Sequence, residues 1–278
     1  MPATGSRIMP RIMIRRLNLR VPWRIIPIFL AVLAALPASA GPASPRFAAP
    51  LPEITVPRAT KSPILDGLGT DPAWSRATHI ELHGYWSAPT QPSASRTRVS
   101  LLHDGQFLYI AFDCEDRDII FTRTAHDDQT FRDDCVEIFI GAPDERLSDT
   151  ACLEINAIGT LADYYYRHAD WINLRYESHA RVVASRQPAF SDLASDKHPL
   201  PGYRLEIAIP FRSLVSIVTL LDKNPGPPLP GRLRANFARW DRASTPSAPA
   251  RFTIWSDPQF SMPHPHRPDR YGWLNLES

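Results

Sequence analysis

Residues 133–140 read Asp-Asp-Cys-Val-Glu-Ile-Phe-Ile, an acidic corner that opens directly into an alternating run. Side chains alternate across a strand, so Val136, Ile138 and Ile140 share one face and Cys135, Glu137 and Phe139 the other. Glu137 is thereby a carboxylate on a rigid strand among apolar neighbours, a position suited to orienting a polar ligand. Working outward, the same period recurs at 96–103 and 106–114, joined at Asp104-Gly105. Asp-Gly between alternating runs is a strong hairpin signal. Further strands are predicted at 151–157, 160–167, 178–184, 203–209, 232–240, 251–255 and 270–276, with a short one at Ile64–Gly67. Asp71–Trp74 suits a capped helical turn with Pro72 at its first position, and Phe211–Val218 a short helix after Pro210. Residues 222–231 are too rich in Pro and Gly to be anything but loop. Many short strands, no helix of ten residues and no repeat predict an all-β fold: an antiparallel β-sandwich with short helical turns.

The N-terminus reads differently. Six arginines and no acid precede an apolar run at Ile25–Leu36 and then Ala38-Ser39-Ala40. A basic region, an apolar stretch too short to span a bilayer and a small-residue cleavage site predict a signal peptide over 1–40, cleaved near Ala40. The protein is then periplasmic or secreted, with no stable membrane span in the mature form. Residues 41–61, rich in Pro and Ala, are expected to be a flexible leader, and 62–278 the folded domain. The full chain carries 31 Lys and Arg against 29 Asp and Glu; without the six N-terminal arginines, acids exceed bases by four. The basic balance therefore belongs to the leader, and nothing in the mature chain points to nucleic acid.

Cys114, Cys135 and Cys152 each fall in a strand-like run, where small buried hydrophobes are the plainest reading. In an oxidising compartment three cysteines allow at most one internal bridge, and their spacing fits no zinc motif. Asp127-Asp128 and Asp133-Asp134, with Asp113, Glu115, Asp116 and Asp118 nearby, could hold a structural calcium; their spacing matches no EF-hand loop, and no other cofactor is indicated. His264 and His266 could chelate a metal or be plain surface histidines. Two roles fit Glu137: accepting ligand hydroxyls, or accepting loop amides to close the acidic corner. Phe131 could stack on a ligand or pack in the core. Tyr164-Tyr165-Tyr166 and Trp171 form the densest aromatic cluster, and alternation must send those tyrosines to both faces. Trp74 and Trp255 are expected in the core.

Seven motifs in order carry a resemblance. They are Ile64-Leu65-Asp66-Gly67 with Asp71–Trp74, Gln106–Phe112, Asp134–Ile140, Glu154-Ile155-Asn156, Tyr203–Pro210, Asn236–Arg239 with Trp255–Pro258, and His266–Gly272. Over about residues 62–276 the chain resembles the family 9 carbohydrate-binding module. The resemblance implies a β-sandwich that binds an oligosaccharide or polysaccharide, of xylan or cellulose type, without catalysis. In that family a sugar-chain end is gripped between two tryptophans, with a glutamate and an asparagine on its hydroxyls. Carried over, these become Phe131, Glu137 and Asn156, with Glu154 where an arginine would stand and His264 or His266 near the second tryptophan's place. A smaller ring on one wall and no large aromatic on the other imply weak binding.

Two other classes compete. A glycoside hydrolase would use Glu137 with Asp134, Glu154 or Glu206 across a cleft, but no catalytic motif is present. An exported scaffold would use the sandwich for protein contacts. Neither alters the expectation for export: the mature chain should begin at or near Gly41, as read by mass spectrometry of its terminus. An intact Met1 on cytosolic protein would refute it.

Overall fold

The computed structural model describes residues 50–85, 95–141, 149–167, 171–186, 201–214, 231–245 and 248–278. The expected signal peptide, its expected cleavage site and most of the 222–231 loop lie outside the described residues. So does the second half of the expected 211–218 helix, of which 211–214 are helical. No helix among the described residues is long and apolar enough to cross a membrane.

In chain order the strands are β1 (Glu53–Val56), β2 (Thr78–Glu81), β3 (Thr97–His103), β4 (Phe107–Glu115), β5 (Cys135–Gly141), β6 (Asp149–Asn156) and β7 (Leu161–Arg167). They continue as β8 (Trp171–Asn173), β9 (Arg181–Ser185), β10 (Gly202–Pro210), β11 (Arg232–Asp241), β12 (Arg251–Ile254) and β13 (Gly272–Leu276). The larger sheet runs β1-β13-β11-β5-β6-β7-β8, with β12 also on β11; the smaller runs β2-β3-β4-β10-β9. Described pairings between strands are antiparallel except β1 with β13. The predicted antiparallel sandwich is the observed one.

Alternation builds the core. Val136, Ile138 and Ile140 of β5 meet Leu153 and Ile155 of β6, Val99 and Leu101 of β3, Ile110 and Phe112 of β4, and Leu205 and Ile207 of β10 in one cluster between the sheets. Each such side chain contributes about 1.5–3 kcal/mol by leaving water. Trp255 joins this cluster; Trp74 packs with Leu102, Tyr109 and Ala208 on the outer face of the smaller sheet. Cys114, Cys135 and Cys152 are buried free thiols.

The strands β2 and β8 have no counterpart in the sequence reading, and three further segments differ from it. Within the stretch expected to be a flexible leader, β1 pairs with β13 from Glu53↔Trp273 to Val56↔Leu276, and Val56 is fully buried. Its short apolar alternation, Ile54 and Val56, suffices once β13 offers an edge. The 178–184 strand starts only at Arg181, because His179 adopts φ 54°. Ile64–Gly67 is loop rather than strand. Its neighbouring amides turn to one carboxylate: Asp66 N and Gly67 N donate to Glu206 Oε2, and Gly69 N to Glu206 Oε1, all at 3.0 Å. Gly67 and Gly69 take φ +75° and +69°, a backbone that a side chain would strain.

Glu206 is fully buried and also accepts from Arg204 Nε at 2.9 Å, while Arg204 Nη1 reaches both oxygens of Asp113 at 2.8 and 2.7 Å. A carboxylate so engaged is a loop anchor, not a catalytic acid. Removing it leaves Arg204 Nε and three loop amides without their acceptor, so Glu206→Ala should cost about 3–5 kcal/mol in urea unfolding. Glu206→Gln, which keeps an acceptor, should cost less. A loss under about 1 kcal/mol for the alanine would show that other contacts hold the loop.

Candidate functional site

The outer face of the larger sheet carries Cys135, Glu137 and Phe139 from β5, Cys152, Glu154 and Asn156 from β6, and Tyr164 and Tyr166 from β7. Register sets Glu137 directly opposite Glu154 on one side and Ala238 on the other. Tyr165 points into the inter-sheet core, so the tyrosine run does divide between faces. Beside these strands lies a cavity of about 340 Å³. Phe131, Ile172 and Leu174 form its apolar walls, Glu154 and Tyr164 its polar floor, and Asp127, Asp128 and Gln129 part of its rim.

Phe131 stands on a 3-10 turn, Thr130–Arg132, and is 37% exposed. It and Glu154 are the two predicted residues that meet at the cavity. Glu154 Oε1 accepts from the Tyr164 hydroxyl at 2.9 Å. Glu137 sits one strand away, nearly covered. Its Oε1 accepts from Trp240 Nε1 at 2.9 Å, and its buried Oε2 accepts nothing.

Asn156 is turned to another task. Nδ2 donates to Arg123 O at 2.8 Å and Asp133 Oδ2 at 3.0 Å; Oδ1 accepts from Thr160 N at 2.9 Å and Ile158 N at 3.3 Å. All four hydrogen-bonding positions of its amide are used within the chain, so it brackets loops and has none left for a ligand. His266 is not at the cavity. Its ring packs at 5.2–5.3 Å from Tyr166 and Phe139, and burial with the neighbouring His264 lowers its pKa to about 4. It is a neutral member of an aromatic cluster at physiological pH.

The acidic corner is also committed. Asp133 accepts from Thr122 N and Oγ1, Arg123 N and Nη1, and Asn156 Nδ2. Asp134 accepts from Ile120 N and from Arg242 N. Asp134 also gathers with Asp116 and Asp241 in a buried trio, where the Arg239 guanidinium, 2.9 Å from Asp116, already supplies the positive charge. Asp127 and Asp128, by contrast, stand at the cavity rim.

Trp240 and Arg242 carry no motif that marks them in the sequence. Trp240 follows Asn236 and Ala238 in the β11 alternation, the one available signal, and it supplies the donor to Glu137. Arg242 lies 4.5 Å over the Trp240 ring and donates to the Phe131 carbonyl. A larger cleft, about 1240 Å³, opens on the smaller sheet beside Arg58, Lys61, Phe107 and Arg181. Asp104 there accepts from Ser62 and Tyr109, and Glu277 from Arg58 N, and none of the predicted binding residues lines the cleft.

The match with known proteins follows this geometry. Residues 64–226 match the family model described as carbohydrate family 9 binding domain-like. The chain belongs to that family. Among solved structures, a candidate carbohydrate-binding protein from Bacteroides uniformis is 16% identical with TM-score 0.61, covering 82% of this chain and 100% of its own. A family 9 carbohydrate-binding module from Caldicellulosiruptor kristjanssonii in complex with cellotriose is 18% identical with TM-score 0.54, covering 81% of this chain and 93% of its own. A structure of such a module from the same organism with glucose is 17% identical with TM-score 0.54, covering 81% and 95%. No curated protein matches the chain.

In this family 9 domain the Glu137–Glu154 pair sets the site's electrostatics. Burial raises the pKa of both carboxyls, and the charge of Glu154 raises Glu137 further. Like charges directly opposite on neighbouring strands destabilise a sheet, so burial and register together disfavour ionising both carboxyls. A protonated carboxyl donates while its ionised partner accepts. Asp134 is raised to about 7, mainly by burial. Asp133 goes the other way: burial would raise it, but the Thr122 and Arg123 amides outweigh that and lower it.

Groups with raised folded pKa contribute stability that is complete below the ordinary carboxylate range and drains as pH rises through the folded values. Thermal stability should therefore fall as pH rises above the ordinary carboxylate range, and Glu154→Gln should flatten that slope. Identical slopes for variant and wild type would show that the pair is ionised without cost.

Proposed function

We propose that the domain is a non-catalytic module that binds the end of a xylan- or cellulose-type saccharide chain in the cavity beside Phe131, after export to the periplasm or medium. The observation that carries this reading is a half-exposed aromatic ring at a cavity of about 340 Å³ with a carboxyl–phenol pair on its floor. Sugars offer apolar C–H faces to a ring and hydroxyls that need both donors and acceptors. Phe131 supplies the first, and Glu154 with Tyr164 and Gln129 the second. The structural neighbours with cellotriose and glucose support the same ligand class.

The arrangement favours binding over hydrolysis. A glycosidase places its two carboxyls on either side of the scissile bond. Glu137 and Glu154 instead lie side by side on one sheet face, tied to Trp240 and Tyr164. Asp134 and Glu206 are engaged by loop amides elsewhere. Affinity is expected to be low, submillimolar to millimolar, because one phenylalanine does the stacking and His266 packs away from the cavity.

Calorimetric or NMR titration with xylo- and cello-oligosaccharides tests the proposal. Phe131→Ala should weaken binding severalfold, and Glu154→Ala should cost about 1.5–3 kcal/mol, the worth of a hydrogen bond to a charged group. Borohydride reduction of the sugar end should abolish most binding. Equal affinity for native and reduced chains would rule out end recognition. No response near Phe131 with any sugar would leave the exposed Phe131, Ile172 and Leu174 to a scaffold role in protein contacts.

A further inference from the structure

Beside the sugar cavity, but distinct from its floor, one imidazole and three carboxylates converge. His126 Nε2 lies 3.5 Å from Asp127 Oδ1, 3.5 Å from Glu177 Oε2 and 3.8 Å from Asp163 Oδ1. The ligating atoms of His126, Asp127 and Glu177 all lie within 4.8 Å of one another. Asp163 is the decisive member. Its side chain is 1% exposed; Oδ2 accepts from Ser178 N at 2.7 Å, while the buried Oδ1 accepts no hydrogen bond and faces His126.

We propose that His126, Asp127, Asp163 and Glu177 form a binding site for a divalent transition metal of the zinc type. Three observations carry it. The first is the orphaned Asp163 Oδ1, a buried carboxylate oxygen that needs a positive partner. The second is the even standoff of the imidazole. An imidazolium serving as a simple ion-pair partner draws a carboxylate to about 2.7–2.9 Å. Here none of the three oxygens is at hydrogen-bond length, and all stand at similar distances. Four ligands around zinc, at about 2.0–2.2 Å in a tetrahedron, are about 3.3–3.6 Å apart. His126 Nε2 stands at about this separation from each of the three oxygens, with Asp127 and Glu177 grouped around it and Asp163 facing it from the buried side.

The third is the identity of the donors. Calcium's longer bonds would also suit these spacings, but calcium takes oxygen ligands, and an imidazole nitrogen at the centre of the group selects zinc or a similar ion. The backbone holds the group ready. Asp127 N donates to Leu161 O at 3.0 Å, Asp163 N to Asp127 Oδ1 at 3.3 Å, and Ser178 N to Asp163 Oδ2, so β7 fixes both flanking loops. His126, Asp127 and Glu177 are 40–55% exposed in their side chains, which leaves an entry path from solvent. Asp127 and Asp163 also line the sugar cavity, so a bound cation would stand at its rim.

Isothermal titration of the chelator-treated protein with zinc chloride, then with calcium and magnesium chloride, tests this. One zinc per chain is expected to bind and raise the melting temperature. His126→Ala and Asp163→Asn should each weaken zinc by more than about tenfold. His126→Ala removes a half-exposed ring, so it keeps the test valid if Asp163→Asn folds poorly. The absence of saturable zinc binding, equal zinc affinity in His126→Ala and wild type, or tighter binding of calcium than zinc would each overturn the proposal. Sugar titrations read out separately, at Phe131, so the two proposals fail independently.

Discussion

Asp133 and Asp134, side by side at the entrance to β5, hold the loops that close the outer face of the larger sheet. One gathers the amides of Thr122 and Arg123, the Thr122 hydroxyl, the Arg123 guanidinium and the Asn156 amide; the other takes the amides of Ile120 and Arg242. For Asp133, whose pKa is lowered, each such bond to a charged acceptor contributes about 1.5–3 kcal/mol in mutational series. Two adjacent carboxylates therefore order segments from three parts of the chain. The Phe131 turn sits one residue upstream, and its carbonyl is held by Arg242, whose own amide is on Asp134. The Phe131 wall of the cavity and the cover over its floor thus hang from the same corner.

That cover has an electrostatic consequence. A sheet face open to water could carry Glu137 and Glu154 ionised at little cost. Under the Trp240, Arg242 and Phe131 layer they lose hydration, and register forbids them to separate. The sheet gives each one neutral donor, Trp240 Nε1 for Glu137 and the Tyr164 hydroxyl for Glu154, and both carboxyls are pushed toward the protonated form. Burial of a polar pair that is only partly satisfied weakens the fold locally. In return it fixes a donor and an acceptor beside the cavity in geometry that loops could not hold. Sites placed on strands are rigid, and here Glu154 is opposed by Glu137 and braced by Tyr164.

The fold was legible because alternation carries it. Val136, Ile138 and Ile140 identify the core face of β5 from the order of residues alone, and Tyr203, Leu205, Ile207 and Ile209 do the same for β10. What alternation cannot state is which partner satisfies a polar group. Ile64–Gly67 has the apolar residues of a short strand, yet its amides turn to Glu206, 140 residues downstream from Asp66. Asn156 has a ligand contact's position on the strand, but its own following turn takes its Oδ1, and Arg123 and Asp133, distant in sequence, take its Nδ2. Trp240 is silent in the sequence since its role exists only through the register of β11 on β5. His126 and Glu177 are 51 residues apart in the sequence and share no motif, so only β7, passing between their loops, brings them together.

The same reasoning explains how this chain keeps a cavity where His266 offers no second wall. A two-ring clamp needs a flat aromatic on each side of the sugar; here His266 is drawn into contact with Phe139 and Tyr166, and burial keeps it uncharged. The space is bounded instead by Ile172 and Leu174, which give contact without a stacking plane. Aliphatic walls reward burial of C–H surface and discriminate poorly between ring stereoisomers, since they lack both a π-face and a hydrogen-bond donor. Selectivity must then come from the polar side: the Glu154–Tyr164 pair on the floor and Gln129, Asp127 and Asp128 at the rim. Of these, Glu154 and Tyr164 sit on paired strands, whereas the rim residues sit in a loop held by Asp163 and the acidic corner. The floor's polar groups are therefore fixed by strand pairing, whereas a cation at Asp127 would partly neutralise the negative charge of the rim.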